Sequence, residues 1–231
     1  MDIKALTFDT GGTILDWHAG ISGAFAAAGA RRGLSADWPA ITNEYRRRSL
    51  KGIVGQVDPD FNFDDVHRRM LDSVIADFKL DALTAGDRDA IWRTWHDLEA
   101  WPDFPAALAR LRQRYVVASF TLLTTSLVID VSRKNSIDWD AIISCEMIGT
   151  YKTRPEAYQT AAKWLQLEPA QILMVACHNF DLNAALACGY KTAFVRRPTE
   201  WGPEGPPDPV PNPAHTLVAD TFPELAERLG A

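Results

Sequence analysis

A chain of 231 residues that is 47% hydrophobic and 23% charged can bury a sizeable core, and its composition excludes large-scale disorder. Its 24 Lys and Arg against 30 Asp and Glu leave a formal net charge of -6, which points away from nucleic acid and anionic membrane surfaces as partners. Cys145, Cys177 and Cys188 neither close a disulfide framework nor match a zinc spacing, so reduced thiols are expected.

The first residues, Met1 to Phe8, lack the long apolar stretch of a signal peptide. No apolar run approaches the roughly 18–20 residues that span a bilayer, so a cytoplasmic protein is the expectation. Residues 3–8 form a short apolar run stopped by Asp9 and Gly11-Gly12, which suits a buried parallel strand. From 18 to 100 the pattern is helix after helix, over 21–30, 39–51, 64–78 and 87–98, with Val66, Met70, Val74 and Phe78 at helical spacing. Apolar runs then return at 115–120, 141–144, 171–176 and 191–195, separated by helical stretches at 105–113, 126–135, 155–165 and 181–188. Pro105 and Pro155 stand where first-turn prolines belong. Residues 198–213 hold seven prolines with Gly202 and Gly205 and read as an irregular loop, followed by an edge strand at 216–219 and a closing helix at 222–229. Strands alternating with helices predict an α/β fold, a doubly wound, Rossmann-like parallel sheet. Its core comprises 1–17 and 101–231, with an inserted helical cap at 18–100.

Ligands of such sheets bind at the carboxyl ends of the strands. Asp9 and Thr13 follow the first run, and Thr121 ends the second. Lys152 precedes the helix at Pro155, and Cys177, His178, Asn179 and Asp181 follow the fourth run. A carboxylate, hydroxyls, an ammonium and a second carboxylate are thus expected on one rim. For Asp9 and Asp181, helix capping is the competing reading, and their joint placement favours chemistry.

Phe8-Asp9-Thr10-Gly11-Gly12-Thr13 resembles the first motif of the haloacid-dehalogenase superfamily, whose aspartate is a nucleophile. Thr121 is similar to its second-motif hydroxyl, Lys152 to its third-motif lysine and Asp181 to its fourth-motif acid. Gly11 stands where phosphatases of the superfamily carry a proton-donating aspartate, and glycine can transfer no proton. Cys177 stands where they carry a magnesium ligand, and sulfur is a soft donor that Mg²⁺ avoids. Halide leaves unprotonated, so neither lack hinders dehalogenation. Asp16-Trp17, Tyr45-Arg46, Trp139-Asp140-Ala141, His178-Asn179-Phe180-Asp181 and Arg197-Pro198-Thr199-Glu200-Trp201-Gly202 also resemble the metal-free 2-haloacid dehalogenases (type II).

That resemblance implies attack of Asp9 on the halogen-bearing carbon of a short 2-haloalkanoic acid, an aspartyl ester, and its hydrolysis to a 2-hydroxy acid. Lys152 would keep Asp9 ionised, and Thr13 and Thr121 would hydrogen-bond nucleophile and substrate. Asp181 would hold Lys152. Thr10 and Gly11 would bring the substrate against the backbone after Asp9, and Asn179 would join them. Arg46 would receive the halide or lie on a solvated helix face. His178 would position water or serve structure, and Trp17 would wall the pocket or fill core. No cofactor or metal is implied; the small-molecule substrate is the partner, and a homodimer is one assembly the resemblance allows. Gly11 leaves space unfilled beside the nucleophile, and Leu122 replaces an amide donor. Two other readings stay open, a Mg-dependent phosphohydrolase or phosphonate hydrolase with Lys51 as Schiff base, and a superfamily scaffold with lost or altered activity.

Overall fold

Ala5–Phe8 is apolar apart from Thr7 and buried throughout, as a strand covered on both faces of a parallel sheet must be. The computed structural model describes residues 2–53 and 62–231, so residues 54–61 of the expected insert lie outside the described residues. The strands are β1 (Ala5–Phe8), β2 (Val116–Thr121), β3 (Ala141–Ser144), β4 (Ile172–Ala176), β5 (Lys191–Val195) and β6 (Leu217–Ala219). They form one all-parallel sheet in the order β3-β2-β1-β4-β5-β6. Phe8 is in register with Ser119 on one side and Val175 on the other. The order reverses between β1 and β4, which opens a crevice at their carboxyl ends. Asp9 sits at that crevice, its backbone N–H donating to Val175 O at 2.9 Å.

Among the described residues, the cap inserted between β1 and β2 contains four α-helices: α1 (Trp17–Arg31), α2 (Trp38–Ile53), α3 (Phe63–Asp77) and α4 (Ala85–Arg93). The Asp16 side chain accepts from Ala19 N and starts α1 four residues earlier than hydrophobic spacing suggests. The expected helix at 87–98 divides into α4 and a 3-10 turn, Thr94–Asp97. Thr84 and Asp87 form a reciprocal capping box that begins α4 at Ala85. Trp95 in the 3-10 turn stacks on His67 with ring centroids 4.0 Å apart, and Phe63 covers the other side at 4.2 Å.

The remaining helices are α5 (Phe104–Leu111), α6 (Thr125–Lys134), α7 (Cys145–Ile148), α8 (Pro155–Leu165), α9 (Asn179–Ala187) and α10 (Phe222–Arg228). α7 was not visible as a periodic run; it is one turn, closed by Gly149 at φ 78°. His96 ties cap to core, bonding Asp64 of α3 at 3.3 Å and Asp130 of α6 at 2.7 Å. The proline-rich loop contains a short 3-10 helix, Gly202–Glu204, and is anchored by Arg197, which makes two bonds to Asp103. Among the described residues, no helix is long and apolar enough to cross a membrane.

Candidate active site

The crevice holds a cavity of about 300 Å³. Asp9, Arg46, Lys152, His178, Asp181 and Glu200 line it with polar groups; Leu50, Leu122, Phe180, Trp201 and Pro207 supply apolar wall. Three structural layers contribute: strand ends of the sheet, α2 of the cap, and the proline-rich loop.

Asp9 is only 8% exposed. Its Oδ1 receives Lys152 Nζ at 3.2 Å, and its Oδ2 receives Thr13 Oγ1 at 2.7 Å and lies 3.1 Å from His178 Nδ1. Thr13 Oγ1 accepts the Cys177 N–H at 3.0 Å, which directs its own hydrogen toward the carboxylate. Lys152 also donates to Asp181 Oδ2 at 2.8 Å, and Tyr158 donates its hydroxyl to Asp181 Oδ1 at 2.6 Å.

Burial opposes the charge on Asp9, but the Lys152 ammonium, then His178 and Thr13, outweigh it and hold the carboxyl well below its usual range. Asp181 moves the other way: burial and the like charge of Asp9 raise it despite Lys152. Lys152 is itself raised, since two carboxylates outweigh its desolvation. The consequence is an ionised, desolvated carboxylate at the end of β1.

Arg46 reaches the cavity from α2 and is 4% exposed. Its Nη2 donates to Gly11 O at 3.3 Å, and its guanidinium lies 5.5 Å from the ring centroids of both Trp17 and Trp95. Among the described residues, its Nε and Nη1 are buried without hydrogen-bond partners. Buried donors left unpaired are costly, so they favour an incoming anion.

His178 lies between Asp9 and Glu200, its Nε2 3.0 Å from Glu200 Oε1. Burial works against its protonation; the Glu200 carboxylate and the bond with Asp9 oppose burial, and the pKa lies above its ordinary value. Glu200 is 1% exposed and also accepts the Trp17 indole N–H at 3.0 Å. The ligand atoms of Cys177, His178 and Glu200 gather within 4.8 Å, yet hydrogen bonds satisfy them as they stand. Burial pushes the Cys177 thiol up to about 11, so its sulfur carries no charge at neutral pH.

Asp9, Thr13, Lys152, Asp181, Gly11, Arg46 and His178 are therefore brought together. Four other expected site residues are placed differently. Thr121 ends β2 with its Oγ1 accepting from Leu123 N, outside the cavity wall. Thr10 is buried and bonded to Ser119 Oγ at 2.9 Å. Asn179 points away from Asp9, donating to Val210 O and accepting from Asn212 N, because successive residues entering α9 face opposite sides. Trp17 is fully buried behind the site, supporting Glu200 and Arg46. Lys51 is exposed on α2 and does not line the cavity. Tyr158 and Leu50 escaped sequence reasoning, and Glu200 entered it only within the stretch Arg197 to Gly202, with no role assigned. A lone charged or aromatic residue in a loop or helix carries no signal that it will be buried beside Asp9.

The family model for haloacid dehalogenase-like hydrolases matches residues 3–189. Haloacetate dehalogenase H-2 of Moraxella sp. (strain B) is 25% identical over 199 residues, covering 84% of this chain and 86% of the relative. (S)-2-haloacid dehalogenase 1 of Pseudomonas sp. (strain CBS-3) is 26% identical, covering 84% and 85%. The crystal structure of a defluorinating L-2-haloacid dehalogenase superposes with a TM-score of 0.91 at 34% identity, over 99% of this chain and 96% of that one.

Proposed function

The chain belongs to the haloacid dehalogenase-like hydrolases, and on that premise we propose that it converts short 2-haloalkanoic acids to 2-hydroxy acids, without metal, through an ester on Asp9. The observation that carries this reading is the state of Asp9: ionised, desolvated and aimed at a cavity where Gly11 replaces a general acid. A carboxylate so placed can displace a group that leaves unprotonated, as halide does. The residues that line the cavity fit such a substrate. Its negative charge suits the cationic lining of Arg46, Lys152 and His178, and its alkyl end meets Leu50, Leu122 and Phe180.

In the first step Asp9 attacks the carbon from the side opposite the halogen, and the C–X electron pair departs with the halide. Arg46, with two unpaired donors, receives the halide. In the second step water attacks Asp9 Cγ, releasing the hydroxy acid. Residues 18–100 act as the cap that supplies Arg46 and closes the cavity over the substrate. The names of the relatives support this substrate class, and the presence of thiol rather than carboxylate at Cys177 supports metal independence.

Single turnover in ¹⁸O-water with enzyme in excess tests the ester. Label is expected in Asp9 of the recovered protein; label only in the hydroxy acid would mean direct attack by water.

A further inference from the structure

We propose that His178 is an oxyanion donor for hydrolysis of the aspartyl ester, and that Glu200 is the positioning residue that holds it there. The inference rests on the dehalogenase reading and assigns the second half-reaction within it.

A carboxylate oxygen offers two in-plane lone pairs. At Asp9 Oδ2 both are engaged, by Thr13 Oγ1 at 2.7 Å and His178 Nδ1 at 3.1 Å. At Oδ1, among the described residues, only Lys152 is bound, at 3.2 Å. The oxygen free to form a bond with the substrate carbon is therefore Oδ1, and Oδ2 becomes the carbonyl oxygen of the ester. When water adds to Cγ, the π electron pair moves onto Oδ2. Collapse restores the carbonyl and breaks the Cγ–Oδ1 bond, with the pair leaving on Oδ1. That oxygen takes one proton of the water and departs as the product hydroxyl; the other proton is released as Asp9 returns to carboxylate. The transient negative charge thus forms on the atom that Thr13 and His178 already face, which is where fixed donors accelerate ester hydrolysis most.

Glu200 explains how His178 keeps both ring hydrogens in the ester state. Alkylation removes the charge of Asp9, so the groups then facing the imidazole are Cys177 on its own segment, a thiol, and Glu200 from the proline-rich loop. Glu200 becomes the carboxylate that retains the positive charge until the oxyanion appears. The seat for this carboxylate is built into the chain. A Cβ on Gly12 would stand 2.0 Å from Glu200 Oε1, and Gly12 has φ +101°, so only glycine admits the close approach. The Trp17 indole N–H fixes the same carboxylate from behind at 3.0 Å.

Rapid-quench kinetics with 2-bromopropionate on Glu200→Gln and His178→Asn, read by bromide release and intact mass, test the assignment. Both variants are expected to give a bromide burst of one per enzyme, at a rate lowered less than that of ester hydrolysis. They should then accumulate the ester, with kcat lowered roughly 10²-fold. KM should fall with kcat, and kcat/KM should drop less than kcat, because the step after alkylation is slowed most. A merely structural role would lower the burst rate and ester hydrolysis to the same extent. Should Glu200→Gln fail to fold, His178→Asn, which keeps a neutral N–H donor, carries the test alone. Loss of burst and hydrolysis together, with no ester found, overturns the assignment. Absence of any halide release by the natural protein would instead overturn the dehalogenase reading, and this inference with it.

Discussion

The Arg46 guanidinium stands where a side chain on Gly11 would begin: a Cβ there would lie 3.2 Å from Nη2 and 3.8 Å from a Leu123 methyl. Sequence alone suggests unfilled space beside Asp9 at Gly11, but a residue from the cap, 35 positions away, fills it. Room in the cavity lies instead along Leu50, Leu122 and Phe180.

Gly11→Ala should be tolerated within a few-fold in activity, since its φ lies outside the left-handed region and Nη2 need shift only by tenths of an ångström. Gly11→Tyr should displace Arg46 and lower kcat/KM on the order of 10²-fold. Kinetics on monochloroacetate and 2-chlorobutyrate check both variants. Full activity in Gly11→Tyr would show that Arg46 is dispensable at its present position.

Lys152→Ala should lower kcat/KM by at least about 10²-fold. The pH dependence follows from the direction of the Asp9 shift. Lys152 lowers the Asp9 pKa, so removing it raises that pKa, and the acid limb of the rate profile should move to higher pH. An acid limb that stays in place would separate Lys152 from the ionisation of Asp9.

Arg46→Ala should slow release of fluoride more than release of bromide, by roughly 10-fold in the ratio of the two rates. Fluoride is the poorer leaving group and gains most from a buried donor. The expectation rests on the two unpaired guanidinium nitrogens. Parallel losses on fluoro- and bromoacetate would assign Arg46 to the substrate carboxylate.

Exhaustive EDTA treatment should leave the rate of halide release unchanged. Recovery of a lost rate on adding Mg²⁺ would favour the phosphohydrolase chemistry of the wider superfamily, and the measurement needs only a halide electrode.

His96→Asn should lower Tm by about 1–3 °C at pH 5.5 and have little effect at pH 8.5. The hydrogen bond to Asp64 raises the His96 pKa, partly against burial, with Asp130 adding to the rise. A raised pKa stabilises the fold below the unfolded value near 6.5, and this contribution is lost as pH climbs through the folded value. Thermal melts at the two pH values decide, and equal losses would mean His96 acts by packing alone.

The order of elements, the parallel sheet and the helical insert were legible because burial on both faces demands continuous apolar runs, and helices demand their own period. The chemical residues at strand ends, Asp9, Thr13, Lys152 and Asp181, were legible for the same reason: topology alone sends strand termini to one rim. Helix starts at Trp17 and Ala85 depended on Asp16 and on the Thr84–Asp87 box, local signals that apolar spacing does not register.

What only tertiary structure decided is which way each side chain turns once its segment has arrived. His178 and Asn179 are neighbours in sequence, yet one meets Asp9 and the other holds the proline-rich loop. Arg46 and Glu200 lie far from Asp9 in the chain, and their neighbours Arg47 and Glu204 differ from them in sequence by little. Packing buries Arg46 and Glu200 beside Asp9 and pairs Arg47 with Glu204 at the mouth. Residue type sets what a group can do, but its charge state and partner depend on desolvation and on contacts between distant segments. Those are properties of the packed chain and have no period or spacing along it.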